Sequence, residues 1–319
     1  MCSIKGRKMD ELKFHQMTNE ELKNLIIRLK KEKNAVVLVH NYQFLEVQDI
    51  ADYIGDSLDL SQKAEQTDAD IILFCGVKFM AETAKILSPE KKVLLSHKDA
   101  GCPMAEMITA NELKKLKNQY GSNRKVVCYV NSTAEVKAES DICCTSANAV
   151  KIVNSFPKDQ KFIFVPDKNL GSYTAMKTGR DILLWNGYCI VHDIITLEDV
   201  NLARQKYPDY SLIVHPECKP EVYNAADAVG STKQIEDYVD THDKVIIGTE
   251  IGMYHKLQHK YPQKQLTPLS KKMVCQNMKK TKLVDVAMTL YYEQNEVIVP
   301  ERIAKKAYQA VDRMLKLSQ

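Results

Sequence analysis

The sequence lacks any apolar run that approaches the ~20 residues a membrane-spanning helix requires. Its opening segment, MCSIKGRKMDELKF, carries basic residues but not the apolar stretch of a secretory signal. Hydrophobic residues make up 45% and charged residues 27% of the chain, which is typical of a folded enzyme and not of a disordered protein. We therefore expect a cytoplasmic protein without a membrane partner, in a compartment that keeps thiols reduced.

Neither sign of charge is in strong excess. The 45 Lys and Arg residues against 41 Asp and Glu residues give a formal net charge of +4. The Lys-rich stretch 271–282 is typical of a solvated surface, because so mild a balance lacks the broad basic field that attracts nucleic acid. The composition therefore predicts no nucleic-acid partner.

The nine cysteines lack the spacings of a disulfide framework or of a compact metal motif. Their number is odd, and no C-x2-C pair of the kind common in zinc and ferredoxin sites is present. Cys75 and Cys128 lie inside apolar runs and are predicted to be buried, while at most one of the adjacent Cys143 and Cys144 can face a cavity. The cysteines that remain as candidate metal ligands are Cys102, Cys189, Cys275 and Cys218.

Three of these cysteines lie almost one third of the chain apart, and the sequence around them repeats. Intervals of 87 and 86 residues separate Cys102, Cys189 and Cys275. Three apolar runs that end in polar residues precede them, namely VVLVHNYQ, VVCYVNST and SLIVHPEC. Each run predicts a buried strand that carries polar side chains at its carboxyl end, followed by a helix and a second apolar run. A third apolar stretch ends on Cys102 and on Cys189, but PLSKKMVC before Cys275 has only a poor strand pattern.

Strands that alternate with helices predict an α/β fold of three pseudo-threefold-related α/β/α sandwich domains with parallel sheets. We place the repeats at residues 18–104, 105–192 and 193–290. A C-terminal helix over 300–319, opened by Pro300, is expected to pack on the first repeat. Ligands bind beyond the carboxyl ends of the strands in open parallel sheets, so the three crevices should share one central cavity where the three cysteines meet.

An ordered set of short motifs spans residues 36–283. The motifs are HNYQ, VQDIADYIGDS, FCGVKFMAETAKIL, AGCPMAEM, YVNSTAEVKAESD, CCTSAN, PDKNLG, WNGYCIVH, HPEC, VGSTKQI and GTEIGM, followed by Cys275 before KKTKL. In this order they resemble the quinolinate synthase (NadA) family. Each motif alone is weak evidence, but so many in one order do not arise by chance. The resemblance implies a three-domain pseudo-symmetric fold, in agreement with the repeats.

The resemblance also implies a cofactor and a reaction. It implies a [4Fe-4S] cluster held by Cys102, Cys189 and Cys275, with one iron left open as a Lewis acid. It implies a transferase- or lyase-type enzyme that condenses iminoaspartate (iminosuccinate) with dihydroxyacetone phosphate to quinolinate in NAD biosynthesis. Some relatives carry a C-x2-C-x2-C run at the third ligand, but CQNMKKT has Met278 there, so no thiol switch is expected.

Both implied substrates are anions, so the cavity needs hydrogen-bond donors. Ser57, Ser146 and Thr232 stand in hydroxyl clusters at the predicted heads of helices, where free backbone N–H groups bind carboxylate or phosphate. Plain N-capping is the alternative at each position, but the recurrence in three repeats and the resemblance favour substrate binding.

The ends of the first strands carry the other site residues. We assign Glu217 and His215 to proton transfer and to substrate binding, because ring formation requires an acid/base group.

Tyr42 and Tyr129 are assigned to catalysis by positioning or donating to an oxygen, and Tyr129 also to substrate binding. Substrate contacts are further predicted for His40, and for Asn131 as the residue that orients a carboxylate. His192 is a candidate outer donor, and Glu250 faces either the cavity or a salt bridge.

The resemblance implies small-molecule partners and functional coupling to an L-aspartate oxidase or aspartate dehydrogenase that supplies the imine. Two other functions stay open at this point. A diphthamide-type iron–sulfur transferase also has three domains with one cysteine each, but cleaves S-adenosylmethionine to a radical. A non-catalytic cluster carrier would use Cys218 as a fourth thiolate.

Overall fold

Three parallel sheets, each of four strands, form the framework of the chain. The structure is a computed structural model, and it describes residues 10–121 and 123–318. The first sheet contains β1 (Ala35–His40), β2 (Tyr53–Gly55), β3 (Ile71–Cys75) and β4 (Lys92–Leu95). The second contains β5 (Arg124–Tyr129), β6 (Ile142–Cys144), β7 (Lys161–Val165) and β8 (Ile182–Leu184). The third contains β9 (Ser211–Val214), β10 (Ala228–Val229), β11 (Lys244–Gly248) and β12 (Gln265–Pro268).

The strand order is the same in all three sheets, with the first strand of each unit flanked by the second and third. The orders are β2-β1-β3-β4, β6-β5-β7-β8 and β10-β9-β11-β12, and every named pair is parallel. This arrangement confirms the predicted α/β class and its triplication. The limits 18–104, 105–192 and 193–290 stay a prediction.

Helices connect the strands and cover the sheets. The first unit and its N-terminal extension contain α1 (Glu11–Gln16), α2 (Asn19–Glu32), α3 (Leu45–Gln48), α4 (Ser57–Gln66) and α5 (Lys78–Leu87). The second contains α6 (Ala110–Tyr120), α7 (Ala134–Ala138), α8 (Ala149–Asn154) and α9 (Lys168–Thr178). The remaining helices are α10 (Leu197–Lys206), α11 (Pro220–Asn224), α12 (Thr232–Thr241), α13 (Ile251–Lys260), α14 (Leu283–Tyr292) and α15 (Glu301–Ser318). None of these helices has the length and apolar character needed to cross a membrane.

The central strands of the first sheet, β1 and β3, are buried on both faces, because they carry apolar residues at consecutive positions and not only at alternate ones. In β1, Val36 and Leu38 pack into one core with α4, α5 and α15, while Val37 and Val39 pack into another with α2 and α14. Two-sided burial is what a parallel sheet with helical crossovers requires. This unit is therefore an α/β/α sandwich, as predicted.

The C-terminal helix lies between two units and not on the first alone. Its apolar face, formed by Ala307, Ala310, Val311, Met314 and Leu315, is buried in the core that the first two units share. Helix α15 contacts α5 of the first unit and α7, α8 and β6 of the second. The expectation that the helix packs on the first repeat was therefore incomplete, because its apolar stripe is wide enough to cover both. Residue 319 lies outside the described residues.

One aspartate per unit ties the first strand to its edge strand, and this contact recurs three times. Asp52, Asp141 and Asp227 accept the backbone N–H of Val37, Val126 and Leu212 at 2.7, 2.8 and 2.7 Å. Their own N–H groups donate to the carbonyls of the same three residues. The carboxylate satisfies a strand N–H that the sheet leaves unpaired, so this residue fixes where each edge strand begins.

Asp227→Ala is predicted to lower the free energy of unfolding by about 1–2 kcal/mol, because the N–H of the buried Leu212 loses its charged acceptor. Equilibrium denaturation of the cluster-free protein measures this. Asp237→Ala is the matched control, since it removes an exposed carboxylate from the Lys233–Asp237 pair on α12 and should change stability by less than about 0.5 kcal/mol. Equal losses in the two variants would contradict the assignment.

Candidate active site

The carboxyl ends of the three sheets face one cavity. Side chains from all three units line it, because polar residues follow the first strand of each unit where the strand ends. The cavity is lined by all the residues that the sequence analysis assigned to catalysis, to substrate binding or to the three-cysteine centre: His40, Tyr42, Ser57, Cys102, Tyr129, Asn131, Ser146, Cys189, His215, Glu217, Thr232 and Cys275. His192, the candidate outer donor, lines it as well. Glu250 and Cys218, which the sequence analysis named as alternatives, do not line the cavity.

The three cysteines occupy equivalent places in their units. Cys102, Cys189 and Cys275 each lie shortly after the last strand of a sheet, namely β4, β8 and β12. In the third unit that strand is Gln265–Pro268. The strand thus ends where the segment PLSKKMVC begins, which explains why that segment has no strand pattern.

Two buried carboxylates hold the loops of the second and third cysteine. Asp167 accepts the backbone N–H of Cys189 at 3.0 Å, and Glu250 accepts that of Cys275 at 3.0 Å. Each acid also caps the helix that follows it, Asp167 on α9 and Glu250 on α13. Glu250 is fully buried and forms a salt bridge with Lys279. Of the two positions that the sequence analysis considered for Glu250, the structure therefore shows the salt bridge. The sequence analysis missed the role of Asp167, although PDKNLG contains it.

Backbone N–H groups point at two of the three cysteine sulfurs. They come from Met104 and Ala105 at Cys102, and from Asn277 and Met278 at Cys275. A short 3₁₀ helix follows each of these two cysteines, Met104–Glu106 after Cys102 and Met278–Lys280 after Cys275, and it supplies some of these N–H groups. Such N–H groups stabilise negative charge on sulfur, as a metal-bound thiolate requires.

Desolvation dominates the electrostatics of the three thiols. Burial, assisted by the charge of neighbouring thiols, raises the pKa of Cys102 to about 12. Burial and the carboxylate of Glu217 raise the pKa of Cys189 well above its ordinary value, and burial also raises that of Cys275. The three groups therefore hold their protons unless a cation compensates them. A polycationic iron–sulfur centre fits this donor set, because three thiolates cannot share the cavity without such a charge.

The other described cysteines are not placed for ligation. Cys75, Cys128, Cys143, Cys144 and Cys218 are fully buried, and none of the five lines the cavity. The Cys218 thiol donates to the Gly248 carbonyl at 3.9 Å inside the core of the third unit. The arrangement confirms the predicted burial of Cys75 and Cys128 and gives no support to Cys218 as a fourth thiolate.

Glu217 lies at the centre of the polar side chains and links the second and third units. Its Oε2 lies 2.7 Å from His192 Nδ1 and 3.4 Å from His215 Nδ1, and the Tyr129 hydroxyl also bonds to the carboxylate. Burial alone would raise the pKa of Glu217, but these neighbours outweigh burial and lower it to about 2. Glu217 is therefore ionised at neutral pH.

Two buried oxygens on residues that line the cavity have no hydrogen-bond partner among the described residues. They are Oε1 of Glu217 and Oδ1 of Asn131. Buried polar atoms without a partner are rare, because an unpaired group costs about 1–3 kcal/mol. The geometry therefore indicates that a ligand supplies the missing donors.

Thr249, which the sequence analysis missed, joins two predicted site residues. Its hydroxyl lies 2.8 Å from the Tyr42 hydroxyl and 2.9 Å from His192 Nε2. Because His192 Nδ1 faces the ionised Glu217, the proton lies on Nδ1 and Nε2 accepts from Thr249. The motif GTEIGM contains Thr249, but nothing in the pattern distinguished it from a strand-end threonine.

Contacts between units hold the remaining site residues. The Ser146 hydroxyl lies 3.2 Å from His215 Nε2, and Asn41 donates to the Thr232 hydroxyl at 3.0 Å. Gly252 stands where the Tyr42 carbonyl comes within 2.5 Å of an added Cβ, so only glycine permits this approach of the first unit to α13. These contacts order the cavity before any ligand binds.

The predicted helix-head hydroxyls prove to have different positions. Ser57 and Thr232 are the first residues of α4 and α12, and the capping side chains are those of Asp56 and Ser231. Their hydroxyls are therefore not used in capping. Ser146 lies before α8, which begins at Ala149, so its assignment to a helix head was wrong. Its hydroxyl reaches the cavity through the loop after β6.

The two histidines at strand ends are neutral at pH 7. Burial lowers the pKa of His40 to about 3, with help from Lys256 and Lys279, and burial lowers the pKa of His215 to about 3. The sequence argument called for a group that titrates near neutrality, which His215 does not do in this ligand-free cavity. A bound anion would raise its pKa, because negative charge favours the imidazolium.

Comparison with known proteins identifies close relatives over nearly the whole chain. The family model described as NadA, Quinolinate synthetase A protein, matches residues 24–316. The chain is 54% identical over 295 residues to a protein named quinolinate synthase from Alkaliphilus metalliredigens, which covers 92% of this chain and 97% of the relative. A second protein of that name, from Methanoregula boonei, is 54% identical over 298 residues, with 93% and 98% covered. A third, from Caldicellulosiruptor bescii, is 50% identical over 304 residues, with 94% and 100% covered.

The lowered pKa of His40 predicts that acid destabilises the cluster-free protein. The unfolded chain takes up a proton near pH 6.5 while the folded chain resists it to about pH 3. This contribution to stability is therefore complete above pH 6.5 and is lost as the pH falls. At pH 5 the loss is about 2 kcal/mol relative to pH 8.

The measurement is the free energy of unfolding of the wild type and of His40→Asn at pH 8 and pH 5. The variant should show a smaller difference between the two pH values. His15→Asn, which changes an exposed histidine of α1, should keep the wild-type difference. An unchanged difference in His40→Asn would argue against the assignment.

Proposed function

Because the chain belongs to the NadA quinolinate synthetase family, we propose that it condenses iminoaspartate with dihydroxyacetone phosphate to quinolinate, with release of phosphate and water. This makes it a condensing enzyme of NAD biosynthesis, of transferase or lyase type. One observation carries the proposal: three cysteines and nine polar site residues, named in advance from motifs scattered over the sequence, line a single cavity.

A [4Fe-4S] cluster held by Cys102, Cys189 and Cys275 fits the donor set. Three thiols of raised pKa become thiolates in this cavity only when a cation compensates their charge, and backbone N–H groups are directed at two of the sulfurs. When bound, such a cluster with three protein ligands supplies a Lewis-acidic iron that polarises a carbonyl or hydroxyl oxygen.

Helix ends and neutral side chains supply donors for the anionic substrates. The N-termini of α4 and α12, each of 10 residues, carry Ser57 and Thr232 at their first positions. Because Asp56 and Ser231 already accept N–H groups at these ends, the hydroxyls of Ser57 and Thr232 are the donors that we assign to carboxylate or phosphate. Neutral His40 and His215 donate without adding a charge that the empty cavity could not compensate.

Glu217 is the proton acceptor of this proposal. Its Oε2 is held by His192, while Oε1 is unpartnered and takes a proton from a substrate carbon or nitrogen. The rise in the pKa of His215 when anions bind lets that residue return a proton to a departing hydroxyl. Tyr129 donates to Glu217 and, once Glu217 is protonated, to a substrate oxygen. Tyr42, held by Thr249, positions a second oxygen.

Asn131 orients the imine substrate. Its Nδ2 can donate to a carboxylate, as the sequence analysis proposed, and its unpartnered Oδ1 can accept an N–H from the substrate. Cytoplasmic location, the absence of membrane and nucleic-acid partners, and coupling to an aspartate oxidase or dehydrogenase stay predictions.

An assay under anaerobic conditions tests the reaction. Protein reconstituted with iron and sulfide should form quinolinate from aspartate, an aspartate oxidase and dihydroxyacetone phosphate. The same protein should leave S-adenosylmethionine intact, whereas the diphthamide-type alternative would cleave it. Cleavage without quinolinate would overturn the proposal.

Serine substitutions test the cluster ligands. Replacement of Cys102, Cys189 or Cys275 by serine should abolish the visible absorption and lower the iron content after reconstitution, because a tripod with two thiolates does not retain the cluster. Serine at Cys75 or Cys218, which are buried away from the cavity, should leave both unchanged. Loss of iron in Cys218→Ser would favour the carrier function instead.

Glu217→Gln tests the proton acceptor. The amide keeps the size of the side chain but cannot accept the proton, so kcat should fall by about 10²- to 10⁴-fold while the iron content stays near that of the wild type. Activity within a few-fold of the wild type would assign the proton transfer to another residue.

A further inference from the structure

Three donor atoms of different chemistry lie together on one side of the cavity. His192 Nδ1 lies 3.2 Å from Cys189 Sγ and 2.7 Å from Glu217 Oε2, and the three ligand atoms all lie within 4.8 Å of one another. We propose that the cluster-free protein binds one zinc-type divalent cation at Cys189, His192 and Glu217. This inference rests on the proposed function in one respect, because it takes Cys189 to be a ligand of the cluster as well.

The donor set suits zinc. A thiolate, an imidazole nitrogen and a carboxylate oxygen are the three ligand types that zinc accepts, and three protein ligands leave a fourth position for water. With bond lengths of about 2.0–2.3 Å, tetrahedral ligand atoms lie roughly 3.3–3.6 Å apart. The pairs at 2.7 and 3.2 Å therefore need to separate by about half an ångström, and Cys189 Sγ and a Glu217 carboxylate oxygen, which lie within 4.8 Å of each other, need to approach by up to about 1.2 Å to admit the ion.

The local charge favours a cation. Glu217 is ionised, and its Oε1 is buried without a partner among the described residues. A cation of charge +2 neutralises one thiolate and one carboxylate together, which removes the penalty of burying uncompensated negative charge.

Thr249 supplies the outer contact that a metal-bound histidine requires. A ligating imidazole donates its other N–H to an oxygen, which fixes the ring and the tautomer. His192 Nε2 lies 2.9 Å from the Thr249 hydroxyl, which can accept as well as donate. On metal binding the His192 proton moves from Nδ1 to Nε2 and Cys189 releases its thiol proton to solvent, so Thr249 changes from donor to acceptor without moving.

Burial and ring stacking hold two of the three ligand residues in place. His192 and Glu217 are 1% and 3% exposed, and the His192 ring stacks on His215 at 4.7 Å between centroids. Cys189 is partly exposed and lines the cavity. Cys102 and Cys275 are not needed, which distinguishes this site from the three-cysteine centre.

The iron–sulfur cluster and the zinc ion cannot be bound at the same time, because both use Cys189 as a ligand. Protein that has lost its cluster would take up zinc, and zinc would then occupy one of the three cluster thiols. Glu217 and His192 would be ligated as well and withdrawn from the reaction. Zinc-bound protein would therefore resist reloading with iron until the zinc is removed.

Titration with Co²⁺ tests the site, because cobalt replaces zinc and absorbs light when thiolate binds it. Full-length cluster-free protein, kept anaerobic, should bind one equivalent with a thiolate charge-transfer band and visible bands of tetrahedral intensity. Added Zn²⁺ should displace the cobalt and remove these bands. His192→Ala should weaken binding at least 100-fold, and Thr249→Val by about 10-fold.

Cys102→Ser and Cys275→Ser are the matched controls. Both should bind Co²⁺ as the wild type does, whereas Cys189→Ser should lose the charge-transfer band. Wild-type affinity in His192→Ala, or loss of the band in Cys102→Ser, would overturn the inference, the latter because it would assign the ion to the three cysteines. Thermal unfolding of each variant checks that it is folded.

A second measurement uses iron uptake. Zinc-loaded wild type should take up little iron on reconstitution until a chelator removes the zinc, whereas His192→Ala should take up iron with or without prior zinc treatment. Equal iron uptake by untreated and zinc-treated wild type would contradict mutual exclusion. The cobalt titration needs neither cluster nor substrate, so its result is independent of whether quinolinate is formed.

Discussion

The carboxyl ends of three parallel sheets open onto one cavity, and the rest of the site depends on this convergence. No unit contains a complete set of site residues. The Tyr42 hydroxyl of the first unit bonds to Thr249 of the third, and Ser146 of the second bonds to His215 of the third. Because each contact crosses between units, the packing of the three sheets orders the site as much as the individual loops do.

Charge is the second constraint on this cavity. Glu217 is ionised, the strand-end histidines are neutral, and three thiols have raised pKa values through burial. These residues therefore combine a negative charge with proton-bearing sulfurs, and Lys256 and Lys279 are the cations that act on His40. A cavity of this kind favours a metal centre, and it explains why the cluster proposed here and a divalent ion would compete for Cys189.

Several features of the fold were predictable because they repeat. The strand runs before His40, Tyr129 and His215 have the same pattern, so the sequence predicted the three units and the positions of their polar ends. Position relative to a helix was less predictable. Ser146 was assigned to a helix head, but α8 begins only at Ala149, because the side chain of Asn148 bonds to the Thr145 N–H and closes a turn there. The residue at which such a helix begins depends on hydrogen bonds in the preceding turn, which the spacing of hydrophobic residues in the sequence does not reveal.

The sequence by itself determined the α/β class, the triplication, the three spaced cysteines and the identity of the polar residues at the strand ends, because strand period, helix starts and motif order are local properties. Only the tertiary structure decided which residues support these groups. Asp167 holds the Cys189 loop and Thr249 joins Tyr42 to His192, yet neither stands out in its own segment. Their roles arise from side chains that are distant in the chain and adjacent in space, and local sequence pattern does not encode such adjacency.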